Sequence, residues 1–339
     1  MTDQWVISLG AGREQLPLIR AIQAEGFRCL AYDKNENAEG RPYADAFEAI
    51  SNRDVDAILN IPHGVGRASG VMAAGSEVPD VMAILGHRLG CPNVPVATGM
   101  LLKDKLRYKE VLKAAGVPHT EVSCDNTVGS ELAEYPAVIK PRVGSGSRHV
   151  ALVNNEDESY IWRRTLWQIN GYIMERYQPG PQISSETLFW DGKAVTVAFA
   201  DRFYSMTVTG PKFVEYGGCM PSHWESEKPA AHKIILQAAE ALGISRGTLK
   251  CDLVLTDQGP KIIELTARLS GGPLSELVLQ SSGVDYLRQA VRIVCGIEPH
   301  WPALQPTKRE EVAVDMLGNR LPWGDTRTFI KKELGKCAS

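Results

Sequence analysis

Residues 250–272 read KCDLVLTDQGPKIIELTARLSGG and contain two apolar strands joined by a turn at Asp257 to Pro260. Asp252 and Glu264 each alternate with apolar neighbours, so both carboxylates point away from the core face of their strands. Magnesium in phosphoryl-transfer sites takes one or two carboxylates and completes its shell with water and nucleotide phosphates. The stretch therefore predicts a two-stranded magnesium site.

A glycine-serine loop lies upstream, in the segment KPRVGSGSR at residues 140–148. It joins the apolar runs PAVIK and HVALV, a pattern that predicts a hairpin. Glycines let backbone amides approach a phosphate closely, and Lys140 ends the strand beside the loop. On this segment alone, a phosphate loop and a plain surface hairpin are equally consistent. The loop candidates are Gly144, Ser145, Gly146 and Ser147.

A second glycine turn, Gly10-Ala11-Gly12, follows the apolar run Trp5 to Leu9. The third glycine of a dinucleotide-binding G-x-G-x-x-G would fall at Gln15, so the motif is incomplete. Asp33 nevertheless lies at the separation where an acid would hold a ribose hydroxyl. A tight turn with a strand-end acid and a nicotinamide site both remain open, and no G-x-x-x-x-G-K-[ST] motif occurs.

The order of patterns predicts a mixed α/β and α+β architecture. Residues 1–100 alternate strands and helices, with Ala57 to Ile61 interpreted as a strand, which implies a parallel sheet. Residues 101–178 open with one predicted helix over Leu101 to Ala115 and then carry the hairpin. Residues 179–300 read as a mostly antiparallel sheet with a helix, and residues 301–339 are weakly patterned.

Composition narrows the class of partner. The 339 residues carry a net charge of −3 and no basic runs, so neither nucleic acid nor an anionic membrane is an expected partner. No stretch is apolar enough to span a bilayer, and the seven cysteines form no C-x-x-C pair. A reduced cytoplasmic location and small-molecule partners are expected.

Taken in order, these residues resemble the ATP-grasp superfamily, most of all its carboxylate-amine ligases and its carbamoyl-phosphate-synthase-like and biotin-carboxylase-like members. The resemblance implies a Rossmann-like preATP-grasp domain followed by a small lid subdomain and a larger antiparallel-sheet subdomain. The residues that carry it are Lys105, Lys140, Glu175, Glu186, Asp252, Glu264 and Arg268.

The resemblance also implies roles at a nucleotide site. Lys105 and Lys140 would hold phosphates, the 144–147 loop would close over them, and Glu186 would bind the ribose or the adenine side. Adenine would meet the strand edge formed by Glu175, Arg176 and Tyr177.

For the reacting end, the resemblance implies that Asp252 and Glu264 bind Mg²⁺, with Mn²⁺ as a substitute. Thr266 occupies a position where the family usually has Asn and would position a second ion. Arg268 would stabilise the transferred phosphoryl group or a substrate carboxylate, and Lys212 would supply a further cation.

The implied activity is an ATP-dependent ligase that activates a small-molecule carboxylate as an acyl phosphate, joins it to an amine-type acceptor, and releases ADP and phosphate. A homodimer is consistent with such ligases. Two alternatives stay open: an NAD(P)-dependent oxidoreductase built on the N-terminal turn, and a non-catalytic ATP-sensing module suggested by Thr266.

Overall fold

The structure is a computed structural model. It describes residues 4–60, 64–125, 134–169, 171–206 and 213–321. Lys212 lies outside the described residues. Within these ranges the strands form one parallel sheet and two antiparallel sheets, which agrees with the mixed α/β architecture expected from the sequence.

The N-terminal part is a four-stranded parallel sheet in the order β3-β2-β1-β4. Its elements are β1 (Gln4–Leu9), α1 (Leu16–Ala24), β2 (Arg28–Tyr32), β3 (Ala46–Glu48), α2 (Val55–Leu59), β4 (Arg67–Met72) and α3 (Pro79–Leu89). The strand predicted at 57–61 is wrong over residues 57–60, because the Asp54 carboxylate accepts the amide of Ala57 at 3.1 Å and caps helix α2; Ile61 lies outside the described residues.

The helix predicted over 101–115 is two helices, α4 (Val96–Leu102) and α5 (Lys105–Ala114). The break comes from Asp104, whose carboxylate accepts the amide of Leu106 at 3.0 Å and so caps α5. Lys105 becomes the first residue of α5, and its amide donates to the Arg142 carbonyl at 3.0 Å. The cap therefore holds Lys105 against the strand end that carries the glycine loop.

The smaller antiparallel sheet has the order β5-β8-β6-β7. It consists of β5 (Val122–Asp125), β6 (Ala137–Pro141), β7 (Ala151–Val153), α6 (Glu156–Trp167) and β8 (Tyr172–Arg176). Strands β6 and β7 pair antiparallel, with Ala137 opposite Val153, which confirms the predicted hairpin around the glycine-serine loop.

The larger antiparallel sheet has six strands in the order β13-β12-β9-β10-β11-β14. Its elements are β9 (Gln182–Trp190), β10 (Lys193–Met206), β11 (Phe213–Met220), α7 (Lys228–Ala241), β12 (Arg246–Thr256), β13 (Gly259–Thr266) and β14 (Val312–Asp315). The hairpin predicted at Asp191-Gly192 is confirmed, and both residues have positive φ, as a tight hairpin turn requires.

Two helices, α8 (Leu274–Ser282) and α9 (Tyr286–Val294), lie between β13 and β14 in the chain. Helix α9 packs on α1 and β4, so Val291 and Ile22 belong to one buried cluster. Among the described residues, none of the helices combines the length and apolar character needed to cross a bilayer.

Backbone hydrogen bonds also join the parallel sheet to the segment after β13. Gly75 N donates to Leu269 O at 3.2 Å, and Leu269 N donates to Ala73 O at 3.2 Å. We call residues 73–75 and 269–271 the seam. It brings the loop after β4 directly beside the end of the sequence stretch that carries Glu264 and Arg268.

Candidate active site

Two cavities meet at the end of the β12–β13 pair. The first cavity lies between the small and large antiparallel sheets and includes Lys105, Lys140 and Tyr177 in its lining. The second cavity holds about 530 Å³ and extends toward the seam. Asp252 and Glu264 line both cavities, so the carboxylate pair stands where they join.

Asp252 and Glu264 are direct cross-strand partners, which is the adjacency that the alternation of their strands predicts. Arg202 Nη1 lies 2.6 Å from Asp252 Oδ2, and Lys105 Nζ lies 3.1 Å from Glu264 Oε1. The second carboxylate oxygen of Asp252 is buried and has no hydrogen-bond partner among the described residues. An oxygen without a partner beside a second carboxylate fits a hard divalent cation such as Mg²⁺.

Both carboxylates of the pair are held in the ionised form. Burial works against ionisation of Asp252, but Arg202 and Lys250 outweigh it and hold the pKa of Asp252 below its ordinary value. Burial likewise opposes ionisation of Glu264, yet Lys105, Lys250 and Lys140 together lower its pKa to about 2. The pair is therefore anionic at neutral pH, and its negative charge favours binding of a cation.

Thr266 and Arg268 both contact Glu77, a residue of the loop after β4. The Thr266 hydroxyl donates to Glu77 Oε1 at 2.7 Å, and Arg268 Nη2 lies 2.9 Å from Glu77 Oε2. The predicted role of Thr266 at a second ion stays a prediction, since the Thr266 hydroxyl donates its hydrogen bond to Glu77. Sequence reasoning missed Glu77 because nothing local distinguishes it from an ordinary loop glutamate.

Lys105 and the glycine loop are in contact. Lys105 Nζ donates to the Gly144 carbonyl at 2.6 Å, which ties the loop to the start of α5. Gly146 and Ser147 both have positive φ, so the backbone turns sharply here and only Gly146 does so without strain. Gly144, Ser145 and Ser147 line the first cavity, and Gly146 lines the second.

Glu175 is fully engaged by protein groups. Its Oε1 lies 2.8 Å from both Lys109 Nζ and Lys140 Nζ, and its Oε2 accepts the Thr120 hydroxyl at 2.8 Å. Burial opposes ionisation, but the two lysines outweigh it and keep the pKa of Glu175 below its ordinary value. Burial lowers the pKa of Lys109 to about 8. Lys109, which sequence reasoning missed, shares the negative charge of Glu175 with Lys140.

Arg176 and Tyr177 lie at the end of β8 and line the first cavity, and their predicted contact with adenine stays a prediction. Gln178 and Gln182 line it too. Sequence reasoning missed these two glutamines because polar residues after a strand are common. Further lining residues that it missed are Val138, Arg202, Tyr204, Val254 and Ile263.

Glu186 occupies a different place. It is fully buried in β9, is absent from the lining of both cavities, and accepts the Ser270 amide on Oε2 at 2.8 Å. Burial raises its pKa to about 7. The predicted ribose or adenine contact remains a prediction, and the observed contact supports the loop after Arg268.

Side chains of the protein accept hydrogen bonds from the backbone amides of the N-terminal glycine turn. Gly12 N donates to Gln15 Oε1 at 2.8 Å, Gln15 Nε2 donates to the Ala74 carbonyl, and Ala11 N donates to Asp33 Oδ2 at 3.0 Å. The amide side chain that replaces the third glycine thus binds the backbone donor of the turn, and Asp33 binds another. These groups stabilise the loops beside the seam.

Comparison with known proteins finds a family match for this chain. The profile of the ATP-grasp domain family matches residues 102–272. Carnosine synthase 1 of Gallus gallus is 25% identical over 259 residues, which cover 68% of this chain and 27% of the relative. This chain therefore spans about a quarter of that relative's length.

Solved structures share the fold. An L-amino acid ligase from Bacillus licheniformis has a TM-score of 0.75 at 21% identity, with 91% of this chain and 78% of that chain covered. The biotin carboxylase domain dimer of 2-oxoglutarate carboxylase from Hydrogenobacter thermophilus, in complex with MgADP and bicarbonate, has a TM-score of 0.75 at 18% identity. That likeness covers 91% of this chain and 73% of the other.

Proposed function

Because this chain belongs to the ATP-grasp family, we propose that it uses Mg²⁺-ATP to activate a small-molecule carboxylate as an acyl phosphate and joins it to an amine-type acceptor. ADP and phosphate are released. The observation that carries this proposal is the anionic pair of Asp252 and Glu264 at the junction of two cavities. One cavity then holds the nucleotide, and the other holds the molecules that react with its terminal phosphate.

The first cavity is suited to a nucleotide. Lys105 and Lys140 place positive charge beside Gly144 and Ser145, where phosphates are held by amides and cations. The apolar side chains of Val138, Val254 and Ile263 provide surfaces for a flat base. In this assignment the cavity binds adenine through the strand end at residues 176–178, because the Glu175 carboxylate is already occupied by lysines.

Asp252 and Glu264 would hold Mg²⁺, whose charge would offset the charge that develops on the phosphoryl oxygens during transfer. Residues of this chain supply the remaining roles at the reacting groups. Arg268 lines the second cavity and presents a cation to the reacting carboxylate or phosphoryl group, and Glu77 orients its guanidinium. The glycine loop borders both cavities, so its closure would exclude water from the activated carbonyl.

Two of the relatives favour an amine-bearing substrate: carnosine synthase 1 and an L-arginine-specific L-amino acid ligase of Bacillus subtilis. We infer amino-acid-like molecules as the first class to screen. A homodimer remains part of the proposal. Lys212 keeps its proposed role as a further cation, and it lies outside the described residues.

The test is ADP release from Mg²⁺-ATP with a panel of amino acids and other carboxylates, with and without amines. We expect stimulated release that Glu264→Gln lowers by at least about 100-fold, since that change removes a metal ligand and the partner of Lys105. Glu240→Gln, at an exposed position of α7, is the matched control and should match the wild type.

Two outcomes would contradict parts of the proposal. Equal turnover by Glu264→Gln and the wild type would remove the metal assignment. Calorimetric binding of Mg²⁺-ATP without ADP release in any mixture would replace the ligase by the ATP-sensing module.

A further inference from the structure

Glu14 stands apart among the acids that line the second cavity. Within the described residues, the other four each bind protein groups: Asp201 binds Ser222 and His223, Glu215 binds Arg202, Asp252 binds Lys250, and Glu264 binds Lys105. The exposed Glu14 carboxylate has neither a hydrogen bond nor an ion pair among the described residues.

The side chain next to Glu14 does not neutralise it. Arg13 Nη2 donates to the Leu317 carbonyl at 3.2 Å, and within the described residues Arg13 forms no ion pair with Glu14. Leu274 and Leu277 are apolar residues in the lining of the same cavity.

The Glu14 carboxylate lies against two glycines of the seam. A methyl group on Gly75 or on Gly271 would overlap Glu14 Oε2. Gly75 has a φ of +68°, which by itself favours glycine, whereas Gly271 does not adopt a left-handed conformation. A Cβ at position 271 would lie 2.6 Å from the Gly75 Cα atom, so the close approach of the two backbones accounts for the glycine at 271, whereas the flexible Glu14 side chain could move aside. The carboxylate is thus seated between loops that belong to two different sheets.

Its position relates Glu14 to the reacting groups. Gly271 follows Arg268 by three residues, and Gly75 precedes Glu77, the partner of Arg268, by two. The wall of the second cavity therefore presents a cation and a free carboxylate on neighbouring segments. A molecule with a carboxylate and a separate positive charge matches this pair of groups.

We propose that Glu14 is a specificity-determining residue that binds a positively charged nitrogen of the carboxylate substrate, a nitrogen that takes no part in bond formation. The proposal rests on the ligase function proposed above. An attacking amine must lose its proton first, so a nitrogen held as an ammonium by Glu14 is a recognition element. The substrate class is a carboxylate that also bears an ammonium or guanidinium group.

The experiment measures ADP release with amino acids, β-alanine and 4-aminobutyrate, each beside the same carboxylate without its amino group. The wild type should prefer the ammonium-bearing member. Glu14→Gln should raise the concentration for half-maximal release about 10- to 100-fold for that member only, as expected for loss of a charge-assisted contact. The KM for ATP should not change. Glu36→Gln, exposed on the same part of the chain, is the control.

A charge reversal gives a second readout. Glu14→Lys should prefer glutarate over 4-aminobutyrate, because the sign of the binding group is inverted while the chain length of the ligand is similar. Unfolding curves that superimpose with that of the wild type would show that both variants fold.

The inference is overturned if the wild type responds equally to both members of each pair, if Glu14→Gln changes neither, or if Glu14→Gln raises the KM for ATP by the same factor. Failure of the ligase function looks different. No compound then stimulates ADP release in the wild type, and the proposal for Glu14 falls with it.

Discussion

Glu175 in β8 and Glu186 in β9 are both fully buried strand glutamates, and the sequence predicts a nucleotide contact for each. The structure gives them opposite surroundings. Glu175 lies between two lysines and its pKa is lowered, whereas Glu186 has one backbone donor and its pKa is raised to about 7. Glu175 belongs to the wall of the first cavity, and Glu186 lies beneath the loop after Arg268.

The difference shows what decides the charge of a buried carboxylate. Burial raises the pKa of both carboxyl groups. Whether the folded pKa lies above or below its ordinary value therefore depends on the cations that the tertiary structure places nearby. Lys109 and Lys140 come from α5 and β6, distant in sequence from Glu175. A buried glutamate in a strand pattern is therefore a candidate site whose electrostatic role is set by its neighbours.

The largest expected effect is on stability at Glu175. Glu175→Gln would leave Lys109 and Lys140 without their shared anion, so the free energy of unfolding should fall by roughly 3–5 kcal/mol. Urea denaturation measures this. Glu121→Gln, at an exposed position near β5, should change it by less than about 0.5 kcal/mol.

A double variant tests the cause of that loss. Adding Lys109→Met to Glu175→Gln should restore part of the stability, because one uncompensated charge is removed. If the double variant is as unstable as the sum of the two single variants, the ion pair is not the source of the effect.

The next effect separates the two lysines that bind Glu175. Lys140 lines the first cavity, whereas Lys109 is not among its lining residues and donates to the Thr120 carbonyl. Under the proposed function, Lys140→Met should lower kcat/KM for ATP by about 100- to 1000-fold, because the proposal places this cation beside the transferred phosphates. Lys109→Met should change it by less than about tenfold. Equal losses in steady-state ADP release would mean that both lysines act only through the fold.

The smallest effect is a pH dependence that differs in sign between the two glutamates. Glu186 has a folded pKa of about 7 against 4.5 unfolded, so its contribution is present below pH 4.5 and is lost as pH rises through 7. The loss totals roughly 3 kcal/mol at 1.36 kcal/mol per unit. Glu175, with a lowered pKa, contributes above pH 4.5 and loses that contribution at lower pH.

Unfolding free energies of the wild type and of Glu186→Gln, measured between pH 4 and pH 8, check this sign. The wild type should gain stability relative to Glu186→Gln as the pH falls. A constant difference across the range would show that Glu186 does not titrate on folding.

The alternation of side chains along a β-strand made part of the site predictable. Residues on one face of a strand alternate along the sequence, so Asp252 and Glu264 could be placed side by side from their apolar neighbours alone. The hairpin around Gly144 and the turn at Asp191-Gly192 followed from glycine chemistry in the same way. These features depend on residues close in sequence.

Contacts between distant segments were not predictable from one sequence. Glu77 meets Arg268 across 191 positions, and Lys109 reaches Glu175 across several elements. The break at Asp104 is a local signal, since Asp is a preferred helix cap, but the longer apolar face outweighed it in the prediction. The cap competes directly with helix continuation, and in the structure the cap prevails.

The last strand, β14, extends the comparison from side chains to whole segments. It pairs with β11, with Met220 opposite Val312, although it lies beyond the 102–272 region that matches the family. A fragment restricted to that region would present β11 as an open edge and would separate Arg268 from Glu77. The region that matches the family model is thus shorter than the set of segments that complete this sheet and hold Arg268, so a transfer of residues 102–272 to another protein would have to include both flanking segments.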